Sequence, residues 1–322
     1  MLITLEAASK LIADGKTLHI AGTEAMLRKL PKGNWIGGST EYFMTKDGGI
    51  ISGELLFVTE LPYETVKIKS YDAREISQIA EDAFDSGFSI VIIPFDSAVH
   101  KEYAQNAPSY GKMFLNEIVG WIAGVNLGIP GQTPIAVNGL NAEAFADKAV
   151  ALHMQTPENI TVSINIINIF EQDMASPVLE FEEEGFHVAK CFADGKETVF
   201  SDYLTENAVN TKLPLVGDYA GHRVNVSIKS VEDGVVNLYA PVFNGIKYRM
   251  AKDIKDYAAA FRARLKGIND DGAVFSCNCI LNFLYGELEG RSIEAFAGPI
   301  TFGEIAYQLV NQTLVYVTEK ER

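Results

Sequence analysis

Leu55-Leu56-Phe57-Val58-Thr59-Glu60 and Leu314-Val315-Tyr316-Val317-Thr318-Glu319 are two versions of one strand, placed near opposite ends of the chain. Both are rich in β-branched and aromatic residues and close on Thr-Glu, the composition of a pleated, half-buried segment. At nearly equal spacing, each follows a glycine in an apolar stretch, Gly38 in one case and Gly298 in the other. Upstream of each, at 5–21 and 253–279, a helical period gives way to a strand. In the first copy Thr4 caps a helix whose Leu5, Ala8, Leu11 and Ile12 share a face, and Gly15 stops it. A matched order of elements is the signature of an internal repeat. The predicted fold is α/β: two related α/β units with mixed sheets and flanking helices.

The remaining segments fit that class. Residues 75–86 have a helical period, and Ser89-Ile90-Val91-Ile92-Ile93 is apolar enough for a strand buried on both faces. Asp47-Gly48-Gly49 makes a hairpin turn, and strands are predicted at 134–137, 148–153 and 161–169. The acidic run 180–184 and the polar stretch 205–212 read as surface connection, which sets a boundary near Asn210 and predicts domains 1–210 and 211–322. Like units placed side by side leave a cleft, the preferred place for a small-molecule site.

Charge excludes several partners. The 322 residues carry 42 acidic and 27 basic side chains, a net charge of −15. Surfaces that grip nucleic acid or anionic lipid are basic, so neither is an expected partner. The start has no basic leader segment, and the apolar stretch 114–129 is broken by Asn116, Glu117, Asn126 and three glycines. Three cysteines cannot all pair within the chain, so a reduced, cytoplasmic monomer or homodimer is expected.

Few residues carry chemistry. Gly37-Gly38-Ser39-Thr40-Glu41 reads as a glycine-rich turn able to hold an anion on backbone N–H groups, although no lysine follows as in a P-loop. Its plainer reading is a tight strand exit. In Gly120-Trp121-Ile122-Ala123-Gly124, glycines flank a ring that can wall a cleft or simply pack, with Asn126 and Asn138 as nearby polar contacts. Ser276-Cys277-Asn278-Cys279 is the one nucleophile-like stretch, with both thiols on one face of a strand. A reactive thiolate there needs a neighbouring base, and His19, His100, His153, His187 or His222 would have to approach in space. Glu304, just after Gly303, offers a carboxylate to an ammonium or hydroxyl group. No metal site has convincing spacing, and no cofactor is expected.

The order of these pieces resembles the FIST sensory-domain family over most of the chain. The first half is similar to the FIST N-terminal domain through Ile36-Gly37-Gly38-Ser39-Thr40, Val119-Gly120-Trp121-Ile122-Ala123-Gly124, Val137-Asn138-Gly139 and Ala149-Val150-Ala151-Leu152. The second half is similar to the FIST C-terminal domain through Leu213-Pro214-Leu215, Asn244-Gly245, Tyr248-Arg249-Met250, Val274-Phe275-Ser276-Cys277, Gly303-Glu304-Ile305 and Asn311-Gln312-Thr313. Two departures stand out: Asn278-Cys279 replaces the usual small residue and arginine after Ser-Cys, and Val310 stands where a histidine is usual.

The resemblance implies small-molecule sensing, with an amino acid or similar polar metabolite as ligand. It also implies that a separate signalling protein reads the bound state, since no output domain is recognisable in the chain. The expected ligand-binding residues are Gly37, Gly38, Ser39, Thr40, Gly120, Trp121, Gly124, Ser276, Cys277 and Glu304. Two alternatives stand beside this reading. One is an enzyme with a cysteine nucleophile or a carboxylate base in the cleft, and the other is an interaction scaffold.

Overall fold

A computed structural model of the chain describes residues 1–219, 222–268, 272–293 and 296–321, with His222 described by its backbone alone. The fold is α/β, with mixed sheets and few helices. It divides into two compact units, one of Met1–Ile167, Phe261–Leu309 and Thr313–Arg322, the other of Asn168–Ala260 and Val310–Gln312. Residue 210 lies inside the second unit rather than at a boundary. The strands on either side of it, Leu179–Glu180 and Lys190–Ala193 before and Leu215–Tyr219 after, share one six-stranded sheet.

The first unit holds three six-stranded sheets built to one plan. In the first repeat the edge strand Leu2–Ile3 and helix Leu5–Ala13 lead into strand Thr17–Gly22. Helix Glu24–Leu27, strand Trp35–Ser39, the hairpin Tyr42–Thr45 and Gly48–Ile51, and the return strand Leu56–Leu61 complete it. The second repeat runs from Val66–Tyr71 through strand Gly87–Pro94, helix Ala98–Asn106, strand Glu117–Ala123 and the hairpin Ala136–Asn138 and Glu143–Phe145 to Ala149–Gln155. The third begins at Ile160–Asn168 and resumes at helix Tyr257–Leu265. It continues through strand Ala273–Cys279, helix Ile280–Tyr285, strand Gly298–Thr301 and the hairpin Glu304–Ala306 and Gln308–Val310 to Thr313–Glu321.

Each repeat pairs its strands alike. The central strand runs antiparallel to the return strand and parallel to the strand after its helix, as in Ile20 opposite Val58 and Gly37. The same holds for Val91 opposite Ala151 and Gly120, and for Asn278 opposite Leu314 and Ile300. The hairpins are exchanged in a cycle. Met44 of the first repeat pairs with Gly298 of the third, Ala136 of the second with Gly38 of the first, and Glu304 of the third with Trp121 of the second.

The sequence predicts two related units, and the fold contains three. The return strand of the second repeat, Ala149–Gln155, has the same place and pairing as the other two, with a different set of apolar letters.

Alternation along Thr17–Gly22 organises the interior. Leu18 and Ile20 face the two short helices and pack with Ala8, Ile12, Met26, Leu27 and Trp35. His19 faces the other way, edge-on to the rings of Trp121 and Phe275. The helix expected over 75–86 is reduced to a 3-10 turn at Ile76–Gln78. Its start is capped as a helix would be: the Asp72 carboxylate accepts from the N–H groups of Arg74 and Glu75, and the Glu75 carboxylate accepts from Asp72 N–H.

The second unit pairs its six-stranded sheet with the three-stranded set Gly185–Val188, Val235–Val242 and Ile228–Glu232. Phe170, Leu213, Val216 and Ala251 form a small apolar cluster within it. Among the described residues, no helix is long and apolar enough to cross a membrane.

Candidate functional site

All ten residues expected at a ligand site lie in the first unit, where the structure sorts them into two groups. The first group is core. Gly37 and Gly38 belong to a strand, not a turn, and Gly38 lies directly against the Trp121 indole. A Cβ at Gly120 would lie 1.9 Å from the Val91 carbonyl oxygen, so that glycine answers to the neighbouring backbone.

Trp121 is fully buried and donates its Nε1–H to His19 Nε2 at 2.8 Å. That bond places the histidine proton on Nδ1, which has no hydrogen-bond partner among the described residues. Burial, aided by the Met1 ammonium, pulls the His19 pKa down to about 3, so the ring is neutral.

Cys277 is equally enclosed. Its thiol donates to the Gly120 carbonyl at 3.6 Å, and burial pushes the thiol well above its ordinary range. A nucleophile needs the opposite shift and a base beside it. Ser276 donates to the Ala297 carbonyl at 3.0 Å. Glu304 accepts from the hydroxyls of Thr301 at 2.9 Å and Thr313 at 2.8 Å, while burial pushes its pKa up to about 8. Gly38, Trp121, Cys277 and Glu304 thus meet as the sequence reading requires, but as mutual packing. Of the five histidines named as possible bases, the side chain of His222 lies outside the described residues.

Ser39, Thr40 and Gly124 form the second group. They line a cavity of about 400 Å³ where three strands end. Ser39 donates its hydroxyl to the Gly124 carbonyl at 2.7 Å and accepts from Ile135 N–H at 2.9 Å, while Gly124 N–H donates to the Ser39 carbonyl. Thr40 donates to the Ile300 carbonyl at 2.8 Å. These bonds lock the strand ends and leave Glu41, Asn126 and Gln132 to furnish the wall. The mouth of the parallel pair Thr17–Gly22 and Trp35–Ser39 faces the cavity, and carboxyl ends of parallel strands are where α/β sheets hold ligands.

Rings occupy the two corresponding strand ends. After Gly87–Pro94, Phe95 packs on Phe302 and His100, with centroids 5.8 and 5.4 Å apart. After Ala273–Cys279, Phe283 meets Tyr42 at 5.6 Å. In the first repeat Thr23 and Ala25, just after strand Thr17–Gly22, line the cavity instead.

Glu41 is the residue the sequence reading passed over, although it ends the quoted glycine-rich stretch. Only 9% of it is exposed. Asn126 Nδ2 donates to its Oε2 at 2.8 Å, and Gln132 Nε2 to its Oε1 at 3.5 Å. Both amides are oriented by their oxygens. Asn126 Oδ1 accepts from Gly128 N–H, and Gln132 Oε1 accepts from Asn126 N–H, so each turns its nitrogen toward the carboxylate.

A further polar array joins three strands of the second repeat. Tyr71 donates to Asp82 at 3.0 Å, His153 Nε2 lies 2.9 Å from the Tyr71 oxygen, and His153 Nδ1 lies 2.7 Å from Ser89 Oγ. With the Tyr71 proton on Asp82, His153 carries its proton on Nε2 and accepts from Ser89. The order resembles a nucleophile, base and orienting acid, but Ser89, His153 and Tyr71 have no exposed surface, so no substrate reaches the hydroxyl. Among the described residues, no group of three or more His, Cys, Asp or Glu side chains could hold a metal ion.

Over residues 3–320 the chain matches DUF6976, a family of unknown function, and it belongs to that family. No curated protein matches it.

Proposed function

We propose that this DUF6976 protein is a ligand-binding protein of FIST-like sensory type, whose site is the cavity bounded by Ser39, Thr40, Glu41, Gly124, Asn126 and Gln132. The observation that carries this reading is the break in threefold equivalence. Aromatic rings occupy two of the three strand ends, while the third keeps a cavity of about 400 Å³ with several polar side chains among its walls, within the size range of small-molecule sites. Seven of the residues expected from the sequence support that site only indirectly, by fixing the strands behind it.

The motifs shared with FIST domains support a sensory role, with an amino acid or similar polar metabolite as the first ligand class to try. The protein would act in the cytoplasm and pass its bound state to a separate signalling protein. The three cysteines are buried thiols rather than disulfides, which suits a reducing compartment. Thermal-shift screening of amino acids, amines, sugars and organic acids at millimolar concentration tests the reading, because a ligand that binds only the folded state raises its stability. A reproducible rise in Tm for one chemical class is the expected result. No shift from any class overturns the proposal.

A further inference from the structure

The chemistry of the cavity narrows its ligand. Glu41 is nine-tenths buried, and no lysine, arginine or histidine lines the cavity among the described residues. The other acid of the wall, Glu24, is already held by Arg28 at 2.7 Å. Among the described residues the Glu41 carboxylate has only neutral amide donors, one at 2.8 Å and one at 3.5 Å. A carboxylate offers about four acceptor positions, so two amide contacts leave capacity unused. An uncompensated buried charge is costly, and a cation placed against it relieves that cost. The surrounding polar groups, Thr23 and Thr133, suit the hydrogen-bonding remainder of a small molecule. A free carboxylate on the ligand would meet no cationic wall residue and would enter a protein of net charge −15.

We infer that the cavity binds a small organic cation, an amine or guanidine without a free carboxylate, with its charged nitrogen on Glu41. This rests on the cavity being a ligand site, and it replaces the amino acid implied by the family resemblance with an amine. The ligand class follows from Glu41 alone among the acids of the wall, since Glu24 has its partner.

Isothermal titration of the full chain with ethanolamine, putrescine and agmatine, beside glycine, glutamate, succinate and glycerol, tests the assignment. The expected result is saturable binding of at least one amine, weakened tenfold or more in E41Q while the Tm of the free protein holds or rises. On the wild-type chain, putrescine should bind at least tenfold more tightly than butane-1,4-diol, a comparison that holds even if E41Q fails to fold. Binding confined to acids or neutral polyols, or equal amine binding by wild type and E41Q, overturns the cation assignment and leaves the cavity as a site. A response to Mg2+ or Ca2+ without one to amines also overturns it. Absence of binding by every class overturns this inference together with the proposed function.

Discussion

Gly38 lies against the indole of Trp121 so closely that a Cβ at that position would stand 2.6 Å from Cη2 of the ring and 2.5 Å from Ile92 Cγ2. The contact joins a strand of the first repeat to two strands of the second, and the glycine is there for the ring. Gly38→Ala therefore overpacks a filled interior and should cost about 1–3 kcal/mol, read as a lower urea midpoint at unchanged m-value. A midpoint equal to wild type would show that the ring has space to withdraw.

Glu304 sets the alkaline limb of stability. Burial raises its pKa from the ordinary 4.5 to about 8, so folding takes up a proton between those values. Its favourable contribution is complete below pH 4.5 and is lost as pH rises toward 8, at up to about 1.4 kcal/mol per pH unit. Glu304→Gln keeps the shape and removes the titration. Denaturation midpoints of E304Q measured from pH 6.5 to 8 should be flatter than those of wild type. Parallel curves would mean that Glu304 is already ionised in the folded protein.

The acid limb belongs to two histidines. Burial lowers His19 to about 3 and His153 to about 4 from the ordinary 6.5. Both contributions are present above pH 6.5 and are lost as pH falls through the folded values. Between pH 4.5 and 6.5 two histidines oppose one glutamate, so these three groups together place the maximum near pH 6.5. Tyr71→Phe should tilt this limb by removing the oxygen that accepts from His153 and the hydroxyl that meets Asp82. A loss of about 1–3 kcal/mol at neutral pH is expected from chemical denaturation.

The cysteines should be inert. Cys191, Cys277 and Cys279 are buried, and burial pushes the Cys191 thiol up to about 12. In native buffer near neutral pH, alkylation should proceed only as fast as the protein opens, and all three should react at once in denaturant. Rapid labelling of Cys277 in the folded chain would revive a nucleophile at that position.

The repeat was legible where similar letters occupy similar places. Phe57 and Tyr316 both sit on return strands, opposite Ala21 and Ser276. Ala21 also faces Gly38, and Asn278, two residues beyond Ser276, faces Ile300, two beyond Gly298. The middle repeat was hidden because a buried strand needs apolar volume rather than particular residues, and Ala151 serves opposite Val91 where Val58 serves opposite Ile20. The glycines were legible as close approaches, but glycine alone does not say whether a ligand or an indole approaches. Glu41 lacked any local signal. Its importance comes from Asn126 and Gln132, which the hairpin exchange and the loop after Gly124 bring to it.

Gly53 separates the cavity from the core in a testable way. A Cβ there would lie 3.6 Å from Glu41 Oε2 and 3.9 Å from Thr23 Cγ2, ordinary contact distances, and its backbone is not in the left-handed region. Gly53→Ala should therefore leave the urea midpoint within about 0.5 kcal/mol of wild type or raise it slightly by restricting the unfolded chain. The added methyl nonetheless stands beside the carboxylate assigned to the ligand's nitrogen, and Gly53→Val adds more volume there. Amine affinity should fall from wild type to G53A to G53V while stability holds, the reverse of Gly38→Ala, which should lower stability without touching the cavity wall. Equal affinity across the Gly53 series would move the ligand away from Glu41.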